Sequence, residues 1–172
     1  MKKSNSYAQV WVETVVYTLI GLTIIGIILA VATPKINELK DKSIIDSSRQ
    51  SLNEIDSIIK DVSLAAGNQR VFEIEVKKGK FFFDTEKEEI SFYLKSDYKY
   101  SEPGQEIKEG NIIIKTIGES SPYEVYLKIN YSSLNLTINS KELIEEMQSS
   151  SRPYKLIILN RGEQNIDIRL DK

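Results

Sequence analysis

The chain reads as an α+β protein, in which a long N-terminal hydrophobic helix continues into an amphipathic stalk helix and is followed by a mainly antiparallel, β-sandwich-like head. Three observations predict this. Residues Thr14–Thr33 form an uncharged run of twenty. Behind it, apolar residues recur at three- and four-residue spacing, and from Arg70 onward the apolar period drops to two. A period near 3.6 marks a helix with one buried stripe, and a period of two marks a strand with one buried face. Beyond a membrane-length helix, 172 residues leave room for one globular domain.

At about 1.5 Å per residue, the uncharged run covers roughly 30 Å as a helix, the hydrocarbon thickness of a bilayer. Between Lys3 and Lys35 the only charged side chain is Glu13. An acidic group at mid-bilayer costs about 2.5–3.5 kcal/mol on insertion scales and less near the interface, so Glu13 calls for a partner, for water or for the headgroup region. Residues 1–8 are short, polar and basic at Lys2 and Lys3, and they read as a cytoplasmic leader. Its brevity favours an inside N-terminus although Lys35, Lys40 and Lys42 follow the span. Ala30-Val31-Ala32 is the nearest approach to a secretory cleavage site, but a helical pattern continues past it. Gly21 and Gly26 stand five apart, not at the four-residue spacing of a GxxxG seam.

Ala8-Gln9, followed by Val10-Trp11-Val12-Glu13 and the uncharged run, resembles the class III signal peptide of type IV pilin-like proteins, in particular archaeal pilins and archaellins, over roughly Ser6 to Pro34. The resemblance implies that a prepilin peptidase cuts between Ala8 and Gln9 and leaves the helix on the mature chain. Glu13 then becomes the fifth mature residue, where that family carries its glutamate. The implied function is a structural subunit of a pilus-like cell-surface filament. Such a subunit is a single-pass membrane protein before assembly and a homo-oligomer through its helix afterwards, with an extracytoplasmic head that is commonly N-glycosylated. Chemistry supplies a parallel reason. The cut creates an α-amino group four residues before Glu13, on the same helix face, so the two charges can neutralise each other within a chain or between neighbours. The alternative is an uncleaved single-pass membrane protein with an extracytoplasmic β-rich binding or scaffolding domain.

The N-terminal helix is expected over 9–67, with the span at 10–33 and the stalk at 35–67. Pro34 removes one backbone hydrogen bond and crowds the preceding turn, which predicts a kink or local melting near 34. Ile45, Ser48, Leu52, Ile55, Ile59, Val62 and Ala66 make the stalk's stripe, expected to pack on the head's own sheet, and Gly67-Asn68 supplies a stop signal.

The head, 68–172, alternates about eight strands with turns. Phe72, Ile74 and Val76 face one way, Lys78-Gly79 turns the chain into Lys80–Asp84, and Ile90, Phe92 and Leu94 follow. Tyr98–Gly110 reads as a loop around Pro103-Gly104. Ile112–Ile117, Val125–Ile129 and Leu134–Ile138 are three further strands, Ser140 caps a short helix over Lys141–Gln148, and Lys155–Leu159 and Ile166–Leu170 close the domain.

Composition narrows the chemistry. The chain has no cysteine and no histidine, which removes disulfides, thiol nucleophiles, imidazole bases and the usual zinc ligands. With 23 basic and 25 acidic residues, and no basic run beyond Lys77, Lys78 and Lys80, there is no electrostatic footprint for nucleic acid. No phosphate loop, triad or metal spacing is present, so an enzyme and a cofactor are not expected. The clusters Glu86, Glu88, Glu89 and Glu142, Glu145, Glu146 read as solvated faces. Asn130-Tyr131-Ser132 and Asn135-Leu136-Thr137 both match the N-x-S/T sequon, with the asparagines on the outward side of their strands. Among the tyrosines, the Tyr98–Tyr100 loop is the one whose placement suits a subunit contact.

Overall fold

The computed structural model describes residues 6–171, with the side chains of residues 6–9 and of Asp171 excepted. Helix α1, Ser6–Ser63, runs 58 residues. Ten strands follow: β1 Gln69–Ile74, β2 Lys80–Asp84, β3 Glu89–Ser96, β4 Glu106–Glu109, β5 Ile112–Ile117, β6 Tyr123–Asn130, β7 Asn135–Ile138, β8 Ile144–Gln148, β9 Tyr154–Gly162 and β10 Asn165–Asp171. They form a four-stranded sheet in the order β1-β9-β10-β7 and a six-stranded sheet in the order β4-β5-β6-β3-β2-β8. All neighbours are antiparallel except β7 and β10. The α+β class with a sandwich-like head is therefore what the sequence predicted. The chain divides into two compact units, one ending at Glu38 and one beginning at Leu39.

In the second unit the stalk stripe lies where its period puts it. Ile45, Leu52, Ile55, Ile59 and Val62 are buried, and they share one hydrophobic cluster with inward residues of both sheets, among them Phe81, Phe83 and Phe92 from one and Ile158 and Ile168 from the other. Phe81 and Phe92 face each other across β2 and β3 with ring centroids 4.8 Å apart. Each fully buried side chain of this size contributes about 1.5–3 kcal/mol, so the stripe alone ties this part of α1 firmly to the head.

Polar contacts repeat along the same stretch. The buried carboxylate of Asp41 accepts from Lys78 Nζ at 2.5 Å and from the Asp97 backbone N–H at 2.7 Å. Arg49 pairs with Glu109. Asp56 Oδ2 accepts from Lys60 Nζ at 2.6 Å and Asn111 Nδ2 at 2.9 Å, and Asn160 Nδ2 donates to the Val62 carbonyl at 3.0 Å.

Four expectations are corrected. Helix α1 ends at Ser63 rather than at residue 67, and Ala66 is exposed. Gly67 adopts a left-handed φ of 84° and donates its N–H to the Asn160 carbonyl at 2.8 Å, so the stop residue serves the turn into β1. Helical assignment continues through Pro34, so of the kink and the local melting expected there the melting does not occur. Residues 144–148 form β8 instead of a helix, because pairing with β2 sets Met147 opposite Phe81 and buries it; the core position outweighs the local helix propensity of Glu-Glu-Met. The Tyr98–Gly110 segment contains β4. Within it Tyr98 and Tyr100 pack on the core in an edge-to-face pair 6.3 Å apart, so these rings are committed to the head's own packing.

At the β1–β2 turn, Gly79 has a φ of 85°, and a Cβ there would stand 2.5 Å from the Tyr93 carbonyl oxygen. Only glycine fits both demands.

Candidate membrane and assembly helix

Among the described residues, the first unit consists of helix from Ser6 onward. Its many β-branched Ile, Val and Thr residues are only moderate helix formers in water. In hydrocarbon the balance reverses, since a helix satisfies every backbone group internally. None of its most apolar window is buried, and exposed side chains occur all round the helix, from Trp11, 70% exposed, through Tyr17 and Ile24 to Val31 at 73%. A helix apolar on every side is a helix for an apolar surrounding.

The hydroxyl groups agree with that. Thr14 donates to the Val10 carbonyl at 2.9 Å, Thr18 to Thr14 at 2.8 Å, Thr23 to Leu19 at 2.8 Å and Thr33 to Leu29 at 2.7 Å. Each threonine in the run thus spends its proton one turn back and presents its methyl outward. Trp11 and Tyr17 flank Glu13, and all three are exposed. Amphipathic rings of this kind concentrate at the headgroup level of bilayers.

The continuity of the helix reveals a face that the glycine pair does not. Thr23, Gly26, Ala30 and Thr33 follow one another at spacings of three, four and three on a single helical surface. An added Cβ at Gly26 meets nothing within 4 Å, so the chain's own packing does not demand glycine there. Gly26 and Ala30 stand at the small-xxx-small spacing of closely packed membrane helices.

The expected cleavage residues Ala8 and Gln9 lie in helical backbone, with their side chains outside the described residues, and Met1–Asn5 of the leader lie outside them altogether.

In the head, Asn130 and Asn135 are both exposed, at the end of β6 and the start of β7. The glutamate clusters divide. Glu146 pairs with Lys80 at 2.8 Å in the manner of a solvated face. Glu88, by contrast, is half-buried in a left-handed conformation, φ 50°, and its Oε2 accepts the Leu136 N–H at 2.7 Å. Burial pushes its pKa up against the effect of that bond. It caps the open edge of β7, a device that blunts edge-to-edge pairing. No group of three or more His, Cys, Asp or Glu able to hold a metal occurs among the described residues.

On the outer face of the six-stranded sheet, Tyr93 and Tyr126 lie with centroids 5.0 Å apart and donate to the two oxygens of Glu124 at 3.3 and 3.1 Å. Burial, then the bond to Glu124, pushes the Tyr126 pKa up to about 12.

The residues therefore define a class of protein: an α+β chain whose N-terminal helix is long and apolar enough to cross a membrane and is followed by a β-rich domain. Comparison of the chain with models of protein families, with curated proteins and with solved structures returns no match.

Proposed function

We propose that the chain is a structural subunit of a type IV pilus-like cell-surface filament, processed between Ala8 and Gln9 by a prepilin peptidase and polymerised through its hydrophobic helix. One observation carries the reading: the helix is apolar and exposed on every side over its first unit, yet it continues as a helix that the head buries. A subunit of this design waits in the membrane and then exchanges lipid for a bundle of identical helices, with heads outside. Hydrophobicity gives no preference between those two surroundings, so helix packing and the pairing of Glu13 with a Gln9 amine must favour the bundle. The chain is then a building block and not an enzyme, its partners are copies of itself, and the head is extracytoplasmic.

N-terminal sequencing of the protein from its native membranes and surface filaments tests the proposal. A mature terminus at Gln9 is expected. An intact Met1 in the membrane fraction, with no filament, would establish the alternative, a permanent single-pass protein with a binding or scaffolding head. The variant Glu13→Gln is expected to be cleaved normally and to assemble poorly; normal filament yield from it removes the charge-pairing element.

A further inference from the structure

Two sequons stand five residues apart, and the fold treats them differently. Asn130 ends β6, where an exposed turn follows. Its Oδ1 accepts the Ser132 backbone N–H at 2.9 Å, and its Nδ2 makes only a long contact of 3.4 Å to the Lys87 carbonyl oxygen. Ser132 is exposed, and among the described residues no hydrogen bond occupies its hydroxyl. The sequon's middle residue, Tyr131, is buried and fixes the turn on the core.

Asn135 lies within a strand pair. Its Nδ2 donates to Asn165 Oδ1 at 2.5 Å across the parallel β7–β10 register. The sequon's hydroxyl is committed as well: Thr137 Oγ1 donates at 3.0 Å to Asp167, whose side chain is 0% exposed. That carboxylate also accepts the Ser140 N–H at 2.7 Å and Arg161 Nη2 at 2.6 Å. Using this sequon requires opening the sheet.

We infer that Asn130 is an N-glycan acceptor in this protein and that Asn135 is not. The proposal rests on the extracytoplasmic placement of the head. In the transfer, Asn130 Nδ2 forms a bond to C1 of a sugar carried on a lipid phosphoester and gives up one proton. The C1–O bond breaks, and its electron pair leaves on the lipid-linked phosphate. No oxidation or reduction occurs. The acceptor group needs a reachable amide nitrogen and a sequon hydroxyl that is not engaged elsewhere, and Asn130-Tyr131-Ser132 offers both.

The test uses the full-length protein from its native cells. Intact cells are treated with a membrane-impermeant amine reagent to map the reachable lysines, and protein from a separate, unlabelled sample is digested with trypsin. Both sequons fall in one peptide, residues 129–141, so fragmentation that preserves the glycan assigns the site. The expected result is labelled head lysines with a sugar mass on Asn130 and none on Asn135. Ser132→Ala should abolish the mass increment, and Thr137→Ala should leave it in place. Labelled lysines with a bare Asn130, or sugar on Asn135, overturn the inference while the topology stands. Unlabelled head lysines in unlysed cells overturn the topology and the inference with it.

Discussion

Helix α1 passes through two environments, and its two stretches answer them with opposite surfaces. From Val10 to Val31, apolar side chains are exposed on every side, and the only polar side-chain groups besides those of Trp11, Glu13 and Tyr17 are threonine hydroxyls bonded one turn back. From Asp41 to Val62 the apolar residues withdraw to one buried stripe, while Lys42, Ser43, Ser47, Gln50 and Glu54 hold the other side. The second stretch has found its partner within the chain. In the first, none of the most apolar window is buried, a surface suited to an apolar surrounding. Substitutions placed in matching positions of the two stretches should therefore be read by different instruments.

Leu52→Ala is expected to have the largest effect on folding. Leu52 is fully buried, and such truncations cost about 2–5 kcal/mol. The midpoint of head unfolding in denaturant should fall accordingly, with membrane partition unchanged. Its mirror is Ile24→Lys, at a position half exposed in the apolar stretch. A lysine at the centre of a span costs about 2.5–3.5 kcal/mol of insertion. The expected loss is from the membrane fraction, while the head unfolds at its usual midpoint. If Ile24→Lys lowers the head's midpoint, or Leu52→Ala empties the membrane fraction, the division of labour is wrong.

The division was legible in the sequence because it depends on period, and period survives without knowledge of the fold. The stripe from Ile45 to Val62 and the alternation in β2, β3, β5 and β6 needed only positions. What stayed hidden depended on a distant partner. β8 has the composition of a helix, and only its place beside Phe81 and Phe83 makes it a strand. Glu88 looked like one of three solvated acids until the Leu136 N–H arrived from 48 residues away. Thr137 looked equivalent to Ser132 until Asp167 joined it. Glu13 and the cleavage residues rest on local pattern alone, and the fold adds to them the exposed rings on either side.

Asp167 extends the comparison to charge, since it is a carboxylate that the head buries completely. Burial opposes ionisation of Asp167, but Arg161, the Ser140 N–H, Thr137 and Arg169 hold its pKa below the ordinary range. The folded state thus binds this proton less readily than the unfolded chain. Its stabilising contribution is complete above the ordinary carboxylate range near about 4 and is lost as pH falls through the folded pKa. Asp167→Asn should cost about 2 kcal/mol at neutral pH, in keeping with hydrogen bonds to a charged group. The gap between variant and parent should close on acidification. Equal gaps at both pH values would mean that shape, and not charge, holds the site.

The smallest effect separates the two surroundings by a single atom type. Thr85 is buried in the head, where its hydroxyl donates to the Leu143 carbonyl at 3.0 Å and accepts the Leu143 N–H at 2.8 Å. Thr85→Val removes the hydroxyl's bond to the Leu143 N–H and leaves the Leu143 carbonyl only the Thr85 backbone N–H at 3.4 Å, which should cost about 1 kcal/mol of head stability. Thr18 bonds only to its own helix, at 2.8 Å to the Thr14 carbonyl, and that carbonyl keeps its helical partner when the hydroxyl goes. Thr18→Val should therefore change insertion and assembly by less than about 0.5 kcal/mol, the scale of substitutions away from special features. Vesicle partition and filament yield measure it. A clear loss of filaments with insertion intact would place the Thr18 hydroxyl in a bond between helices of neighbouring copies.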